Sequence, residues 1–371
     1  MSSATATASS GLGSASYRGL SLDVGRKAFT AGAVVRLIGR LSELGFTALH
    51  LHLTETHRVG VRLPGFEELA AEDAWDADDA ARIVEAAERA GIGLVPEIDL
   101  PSHAAALLVG REHLRLVDRH GVVHEDRLDI SQPEALTFAL GLLEAASALF
   151  PGDAIHLGGD EFFGAPWEDD DARDPERFPA LVEHARTEIG PDATAMDSFA
   201  LFMNALAAWA LEQDRVPMLW NDHVVPAADG PLVPIRTDVV LDVWIRWREW
   251  TPSAQDYLDS GYRLVNSNGD LLYFVLSADG VPEPHGRRRF GLLESAFAPR
   301  RFMGLAAQNL HHDVPEVPAG VPDTVLGASM SVWCDSPDAL AEAEMFELLD
   351  TWLVPFARVM GAERHPVQTW H

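Results

Sequence analysis

The sequence is poor in cysteine, and this limits how its fold can be stabilised. Cys334 is the only cysteine among 371 residues. A single cysteine cannot form an internal disulfide bond, so the fold does not require an oxidising compartment. Residues 1–16 also lack the basic start and the apolar segment of a secretory signal. We therefore expect a flexible tail over residues 1–16 and a cytoplasmic protein.

Positive charge is scarce as well. Lys27 is the only lysine, and 28 basic residues stand against 57 acidic ones, which gives a formal net charge of −29. Nucleic acids and anionic membrane surfaces are bound through basic surfaces, so neither is an expected partner. No apolar run reaches the roughly 18 residues that a membrane span needs. The charge is compatible with a small neutral or cationic ligand.

Short apolar segments alternate with longer amphipathic segments along the chain. Near-continuous runs of Val, Ile and Leu are typical of parallel strands that are buried on both faces. The helical segments, identified by their spacing and end signals, include 30–45, 76–91, 131–150 and 338–360. The eight candidate strands are 18–24, 48–53, 93–99, 154–160, 217–222, 239–244, 263–267 and 325–333.

Eight strands with intervening helices predict a (β/α)8 TIM barrel over residues 17–371. A doubly wound open sheet is the alternative fold, but the glycine-rich phosphate loop of that fold is absent after the first candidate strand. No break in composition marks a second domain, so we expect a single domain. In such barrels the functional residues gather at the carboxyl ends of the strands.

Polar and aromatic side chains follow the candidate strands. Asp160 and Glu161 follow the fourth strand in the stretch AIHLGGDEFFG, and further acids, an arginine and several tryptophans follow the others. Indole rings stack on pyranose rings while carboxylates bind hydroxyl groups, so the pattern indicates a sugar site. Each feature also has a plainer interpretation. An Asp-Glu pair is commonly a solvated turn, and tryptophans of apolar strands are commonly core residues.

His50 and His52 are two residues apart on one candidate strand, and therefore lie on the same face of it. They are either inward-facing core histidines or metal ligands. The second interpretation suggests a metal-dependent amidohydrolase-type barrel. Such barrels take further ligands from later strands, often with a bridging lysine. Lys27 is badly placed for that role, and His223 is the histidine nearest to a later strand end.

Several segments resemble, in family order, the catalytic domain of the β-N-acetylhexosaminidases of glycoside hydrolase family 20. RGLSLDVGRKAFT is similar to the opening strand of that family, and LGFTALHLHLTET to its His-Leu-Thr-Asp segment. GLVPEIDLPSHA is similar to its Pro-Glu-Ile-Asp…His motif, IHLGGDE to its Gly-Gly-Asp-Glu signature, and VWIRW and MSVWCD to its later tryptophan segments. The resemblance implies a TIM barrel without the small α/β domain that precedes it in many family members.

The resemblance also implies an activity. Family members remove terminal β-linked N-acetylglucosamine or N-acetylgalactosamine with retention, and the substrate's own acetamido carbonyl is the nucleophile. No cofactor or metal is implied. Glu161 would be the general acid and base, Asp160 would accept the acetamide N–H, and His103 would relay the proton state of Glu161 to Glu55. The other implied residues are Tyr273 for the acetamide oxygen, Trp220, Trp244 and Trp333 around the methyl group and ring, and Arg26 and Asp335 for the hydroxyls.

Four sites depart from the family pattern. Glu55-Thr56 stands for Asp-Asp, and Ser102 stands for a glycine. Val275 replaces an acid, and Asp335 replaces a glutamate, at positions that contact the outer sugar hydroxyls. The sequence therefore leaves the gluco/galacto preference open. A catalytically silent sugar-binding homologue is the remaining alternative, and association into a homodimer is a further hypothesis.

Overall fold

The structure is a computed structural model that describes residues 17–164, 174–226, 230–246, 251–278, 293–304, 317 and 324–361. The expected tail over residues 1–16 and the last ten residues of the expected domain lie outside the described residues.

Eight parallel strands form a closed barrel. Each strand pairs with the next along the chain, and the last pairs back onto the first from Tyr17–Gly327 to Leu22–Val332. This closure confirms the (β/α)8 barrel, and the open-sheet alternative is wrong. In chain-order numbering the barrel strands are β1 (Tyr17–Asp23), β2 (Ala48–His52), β5 (Gly93–Leu100), β8 (Ala154–Gly158), β9 (Val216–Trp220), β10 (Val240–Val243), β11 (Arg263–Asn266) and β13 (Val325–Trp333).

Five short strands lie in the loops between barrel strands, and the sequence did not predict them. β3 (Thr54–Glu55) pairs antiparallel with β4 (Arg58–Val59), and β6 (Arg115–Val117) with β7 (Val123–Leu128). β12 (Tyr273–Val275) pairs in parallel with the last three residues of β13, beyond the part of β13 that pairs with β11. It follows β11 and therefore carries its residues to the carboxyl end of the barrel.

Helices follow most barrel strands, and their ends match the sequence signals. The Thr30 hydroxyl accepts the Ala33 N–H at the start of α1, and the Asp76 carboxylate accepts the Asp79 N–H at the start of α2. No helix in the described part of the chain is long and apolar enough to cross a membrane. The helices are α1 (Ala31–Glu43), α2 (Ala77–Ala90), α3 (Pro133–Leu149), α4 (Pro179–Glu188), α5 (Ala195–Glu212), α6 (Ala254–Asp259) and α7 (Glu342–Val359).

The barrel interior has an apolar floor and a polar upper part. The floor takes one buried apolar residue from each barrel strand, and this set is separate from the larger core between strands and helices. Above it lie charged and imidazole groups that are less than 2 % exposed, including His50, Glu97, His156 and Asp242. Polar groups are therefore concentrated at one end of the barrel. The floor residues are Tyr17, Ala48, Val95, Ala154, Met218, Val240, Val265 and Leu326.

Candidate active site

A sharp turn after β8 presents the two adjacent acids. Gly158 and Gly159 both have positive φ, and an added Cβ on Gly158 would clash with the Asp99 carboxylate and lie 2.6 Å from Leu100 N. Only glycine fits where two backbone segments approach each other so closely. Glu161 itself has φ 53°, which is uncommon for a residue with a side chain. The turn therefore directs Asp160 and Glu161 into the mouth of the barrel, where their side chains are 15 % and 18 % exposed.

His103 lies between the acid pair and Glu55, which is the arrangement that the family resemblance implies. Its Nδ1 is 2.8 Å from Glu55 Oε1. Its Nε2 is 3.6 Å from Glu161 Oε2 and 3.8 Å from Asp160 Oδ2. His103 also has a positive φ, of 53°. His103 and Glu161 thus both have unusual backbone conformations and lie in one site. Such backbone conformations are common at functional sites.

The pKa shifts in this group have opposite signs. Burial and then the Asp160 charge raise the pKa of Glu161 to about 7, against the lowering effect of His103. Burial lowers the pKa of His103, but Asp160 and Glu55 outweigh it and hold that pKa well above its usual value. Burial would raise the pKa of Glu55, but His103 and Arg26 bring it below its usual range. At neutral pH His103 is therefore an imidazolium, Glu55 is a carboxylate, and Glu161 is near the midpoint of its titration.

Arg26 is held by two acids. Its guanidinium donates to Asp23 Oδ2 at 2.9 Å and to Glu55 Oε1 at 2.5 Å, and it lies 5.4 Å from the centroid of the Trp333 ring. Glu55 therefore contacts both Arg26 and His103. Because glutamate is one methylene longer than the aspartate of the family pattern, it reaches both cations from the end of β3.

The predicted aromatic residues form one continuous wall. Tyr273 stacks on Trp244 with centroids 5.9 Å apart, and meets Trp333 edge-on at 5.7 Å. Trp220 packs against Trp333 at 6.1 Å. Trp220 is 2 % exposed, whereas the other three are half-buried. Three rings are therefore available to a ligand, and Trp220 lies beneath them.

Glu97 supports this wall from below, and it was not among the predicted site residues. Its Oε1 accepts the Trp220 indole N–H at 2.8 Å and lies 3.0 Å from His156 Nδ1. Its Oε2 lies 2.9 Å from His50 Nε2 and also contacts His52 Nδ1. The signal for this network was present in the sequence, because His50 and His52 point inward at period two beside the Glu-x-Asp of β5.

The same contacts test the metal hypothesis. The ring nitrogens of His50 and His52 that face a common point are both hydrogen-bonded to one Glu97 oxygen, and all three residues are at most 1 % exposed. His223 accepts the Phe163 backbone N–H with Nε2 at 3.3 Å instead of joining them. The ligand atoms of His50, Glu97 and His156 lie close enough together to hold an ion, as do those of His52, Glu97 and Asp99. Both groups are buried, so neither fits the solvent-accessible metal centre of an amidohydrolase.

The remaining predicted residues lie at the rim near Arg26. The charge of Asp335, an exposed residue, contributes to raising the pKa of Arg26, after burial, which lowers it, and after Asp23 and Glu55. Val275 is half-buried on β12 and is in register with Trp333 of β13. Val275 is thus the strand partner of Trp333, and Asp335 follows Trp333 by two residues along the chain.

Comparison with known proteins identifies the family. The sequence model of the glycosyl hydrolase family 20 catalytic domain matches residues 16–345. The chain belongs to glycosyl hydrolase family 20. The family 20 match spans all eight barrel strands and every residue of the site described above.

Two relatives show distant sequence similarity to this family 20 chain. It is 25% identical over 295 residues to a lacto-N-biosidase from Bifidobacterium bifidum, a match that covers 79% of this chain and 24% of that protein. It is 29% identical over 263 residues to β-hexosaminidase 3 from Arabidopsis thaliana, covering 70% of this chain and 45% of that protein. The chain thus spans about a quarter to a half of the length of these relatives.

Solved structures share the barrel. Dispersin B superposes with a TM-score of 0.73 at 16% identity, and the match covers 94% of this family 20 chain and 100% of dispersin B. A catalytic module of a pneumococcal exo-β-D-N-acetylglucosaminidase superposes with a TM-score of 0.69 at 22% identity, covering 93% of this chain and 83% of that one. At these identities the likeness supports the fold alone.

Proposed function

We propose that this family 20 chain is an exo-acting β-N-acetylhexosaminidase that removes terminal β-linked N-acetylglucosamine or N-acetylgalactosamine. One observation carries the proposal. Asp160 and Glu161 stand together at the mouth of the barrel, with the His103–Glu55 pair behind them. Relatives of this family 20 chain that are named β-hexosaminidases support the substrate class.

In the first step Glu161 acts in its protonated form. Its proton passes to the glycosidic oxygen while the bond from that oxygen to the anomeric carbon breaks. The acetamido carbonyl oxygen of the substrate forms the new bond to the anomeric carbon, which produces an oxazolinium ion. The Glu161 carboxylate left behind is stabilised by the His103 imidazolium 3.6 Å away. The pKa of about 7 suits a group that must give and regain a proton near neutrality.

Asp160 and Tyr273 bind and orient the acetamide group. Asp160 accepts its N–H and stabilises the positive charge that develops on the oxazolinium, while the Tyr273 hydroxyl donates to the carbonyl oxygen. Burial, and then the charges of Asp242 and Asp160, keep the pKa of Tyr273 well above its usual value, so its hydroxyl keeps its proton. The adjacent rings of Trp244 and Trp333 enclose the methyl group and the sugar ring.

In the second step the Glu161 carboxylate accepts a proton from water as the water oxygen attacks the anomeric carbon. The bond to the acetamide oxygen breaks, and its electrons restore the acetamide carbonyl. Two inversions at the anomeric carbon give overall retention. No carboxylate nucleophile is needed, which explains why the two acids lie side by side in one turn and not on opposite faces of the sugar.

A rate comparison on three nitrophenyl β-glycosides tests the proposal. We expect turnover of the N-acetylglucosaminide, the N-acetylgalactosaminide or both, and no measurable turnover of the glucoside, which has no acetamide. Equal rates on the glucoside would refute substrate assistance. Sugar binding by calorimetry without hydrolysis of either hexosaminide would refute the activity and favour the silent homologue. The ratio of the two hexosaminide rates gives the gluco/galacto preference that Val275 and Asp335 leave open.

A further inference from the structure

The turn that carries Asp160 and Glu161 is anchored by side chains that follow β5 and β9, the two barrel strands next to β8. The Ser102 hydroxyl donates to the Asp160 carbonyl, the Glu161 N–H donates to Asp222 Oδ2 at 3.0 Å, and the Phe163 N–H donates to His223 Nε2 at 3.3 Å. Asp222 and His223 directly follow β9. The segment that carries the proton donor is therefore fixed by hydrogen bonds to groups that take no part in the chemistry proposed above.

Asp222 has a second contact that the other anchors lack. Its Oδ1 accepts the indole N–H of Trp244, the ring that stacks on Tyr273. Its neighbour Asn221 accepts the Trp244 backbone N–H at 3.0 Å and donates to the Ile245 carbonyl at 2.8 Å. One buried carboxylate thus joins the backbone of Glu161 to the aromatic wall, and it is only 6 % exposed.

We propose that Asp222 is a positioning residue that holds the Glu161 carboxyl and the Trp244 ring at a set distance from one another, so that proton donation and acetamide enclosure are aligned on the same sugar. The inference rests on the proposed function and deepens it. It assigns no contact between Asp222 and the substrate.

Asp222 supports a strained backbone and pairs with two buried N–H groups. Glu161 has a left-handed backbone conformation, which a residue with a side chain keeps only when its surroundings enforce it. Burial and the charges of Asp160 and Glu161 raise the pKa of Asp222, but each of its two oxygens accepts an N–H group, and these two hydrogen bonds favour the carboxylate form. Asparagine can accept only with its one oxygen, so the substitution Asp222→Asn leaves one buried donor facing an amide NH2. The Glu161 carboxyl or the indole must then shift.

The substitution has a kinetic signature that general loss of structure does not have. A misplaced Glu161 slows oxazolinium formation only where the leaving oxygen needs a proton, and kcat/KM reports that step without the later attack of water. We expect Asp222→Asn to lower kcat/KM by about tenfold to a hundredfold on a methoxyphenyl N-acetylhexosaminide, whose leaving group is basic. On the dinitrophenyl substrate, which leaves without protonation, we expect kcat/KM to fall by less than about threefold.

Asp197→Asn is the matched control. Asp197 is a buried carboxylate that also accepts backbone N–H groups, from Thr194 and Val233 at 2.8 Å each, at the start of α5 and away from the site. It is expected to lower stability without changing the ratio of the two rates. If Asp222→Asn does not yield folded protein by circular dichroism, Asp222→Ser, which is smaller, is measured in its place.

Outcomes of the experiment separate the two proposals. No hydrolysis by the unaltered protein contradicts the proposed function itself. An active protein in which the Asp222 variant slows both substrates equally, or neither, overturns the positioning role of Asp222 while leaving the proposed function intact. A selective loss on the methoxyphenyl substrate, absent in the Asp197 variant, supports it.

Discussion

Replacement of His103 by asparagine tests the electrostatic coupling at the centre of the site. Asparagine removes the imidazolium and tolerates positive φ better than most residues, so the backbone at φ 53° is retained. The Glu161 carboxylate then loses the cation 3.6 Å from it and keeps the repulsive charge of Asp160. The protonated form of Glu161 is favoured more strongly, and its pKa rises from about 7.

The size of the rise follows from the distance. Two unit charges at 3.6 Å interact by about 4–5 kcal/mol at an effective dielectric constant of ~20 and by about 1 kcal/mol in water. Because one pKa unit corresponds to about 1.4 kcal/mol, the pKa of Glu161 should rise by about one to three units. Both side chains are less than a fifth exposed, which places the pair between these two limits.

The pH dependence of kcat/KM on the nitrophenyl N-acetylglucosaminide measures this pKa in the free enzyme. Glu161 must be protonated for the first step, so activity falls as pH rises through its pKa, and a raised pKa moves the basic limb to higher pH. His184→Asn, which alters a histidine bonded to Ser198 on α5, should leave the limb in place. If the basic limb lies at the same pH in the His103 variant, the electrostatic coupling between His103 and Glu161 is refuted, whatever the change in rate.

Further predictions concern the proton donor and the network below the wall. Glu161→Gln should lower kcat by at least about a hundredfold on the nitrophenyl substrates while a thiazoline analogue still binds by calorimetry; full activity would remove Glu161 from its role. Glu97→Gln replaces the buried anion shared by three histidines and the Trp220 indole, and should lower the free energy of unfolding in urea by about 3–5 kcal/mol. The exposed Glu85, paired with Arg89, is the matched control, and Glu85→Gln should cost less than about 1 kcal/mol; an equal loss in both variants would contradict a structural role for the Glu97 network.

The barrel itself was predictable, because its signal is local. Apolar runs buried on both faces mark parallel strands, and the predicted ranges for β1, β2 and β13 agree with the structure within a residue or two at each end. Helix ends were equally predictable where the sequence has a capping residue, such as Asp76 before α2 and Gly91 after it. The predicted start of the last helix, at residue 338, precedes α7 by four residues, because Ala341, directly before α7, has an extended backbone with ψ 154°.

The short strand β12 was not predictable from local pattern. It has three residues, and only its pairing with the already formed β13 gives it strand geometry. That pairing sets Tyr273 opposite Ser331 and close to Trp333. A register between segments more than fifty residues apart depends on the closed barrel and not on the residues themselves.

The sequence alone determined which residue types stand at the carboxyl ends of the strands, since strand order and strand length decide where each side chain emerges. It placed Asp160, Glu161, His103 and the tryptophans in one rim on that ground. Only the tertiary structure decided how they are connected. Glu55 bridges Arg26 and His103, Glu97 gathers three histidines under Trp220, and Asp222 joins the Glu161 backbone to Trp244. These links depend on distances across the barrel, and distances between strands are set by closure and twist, which no local pattern encodes.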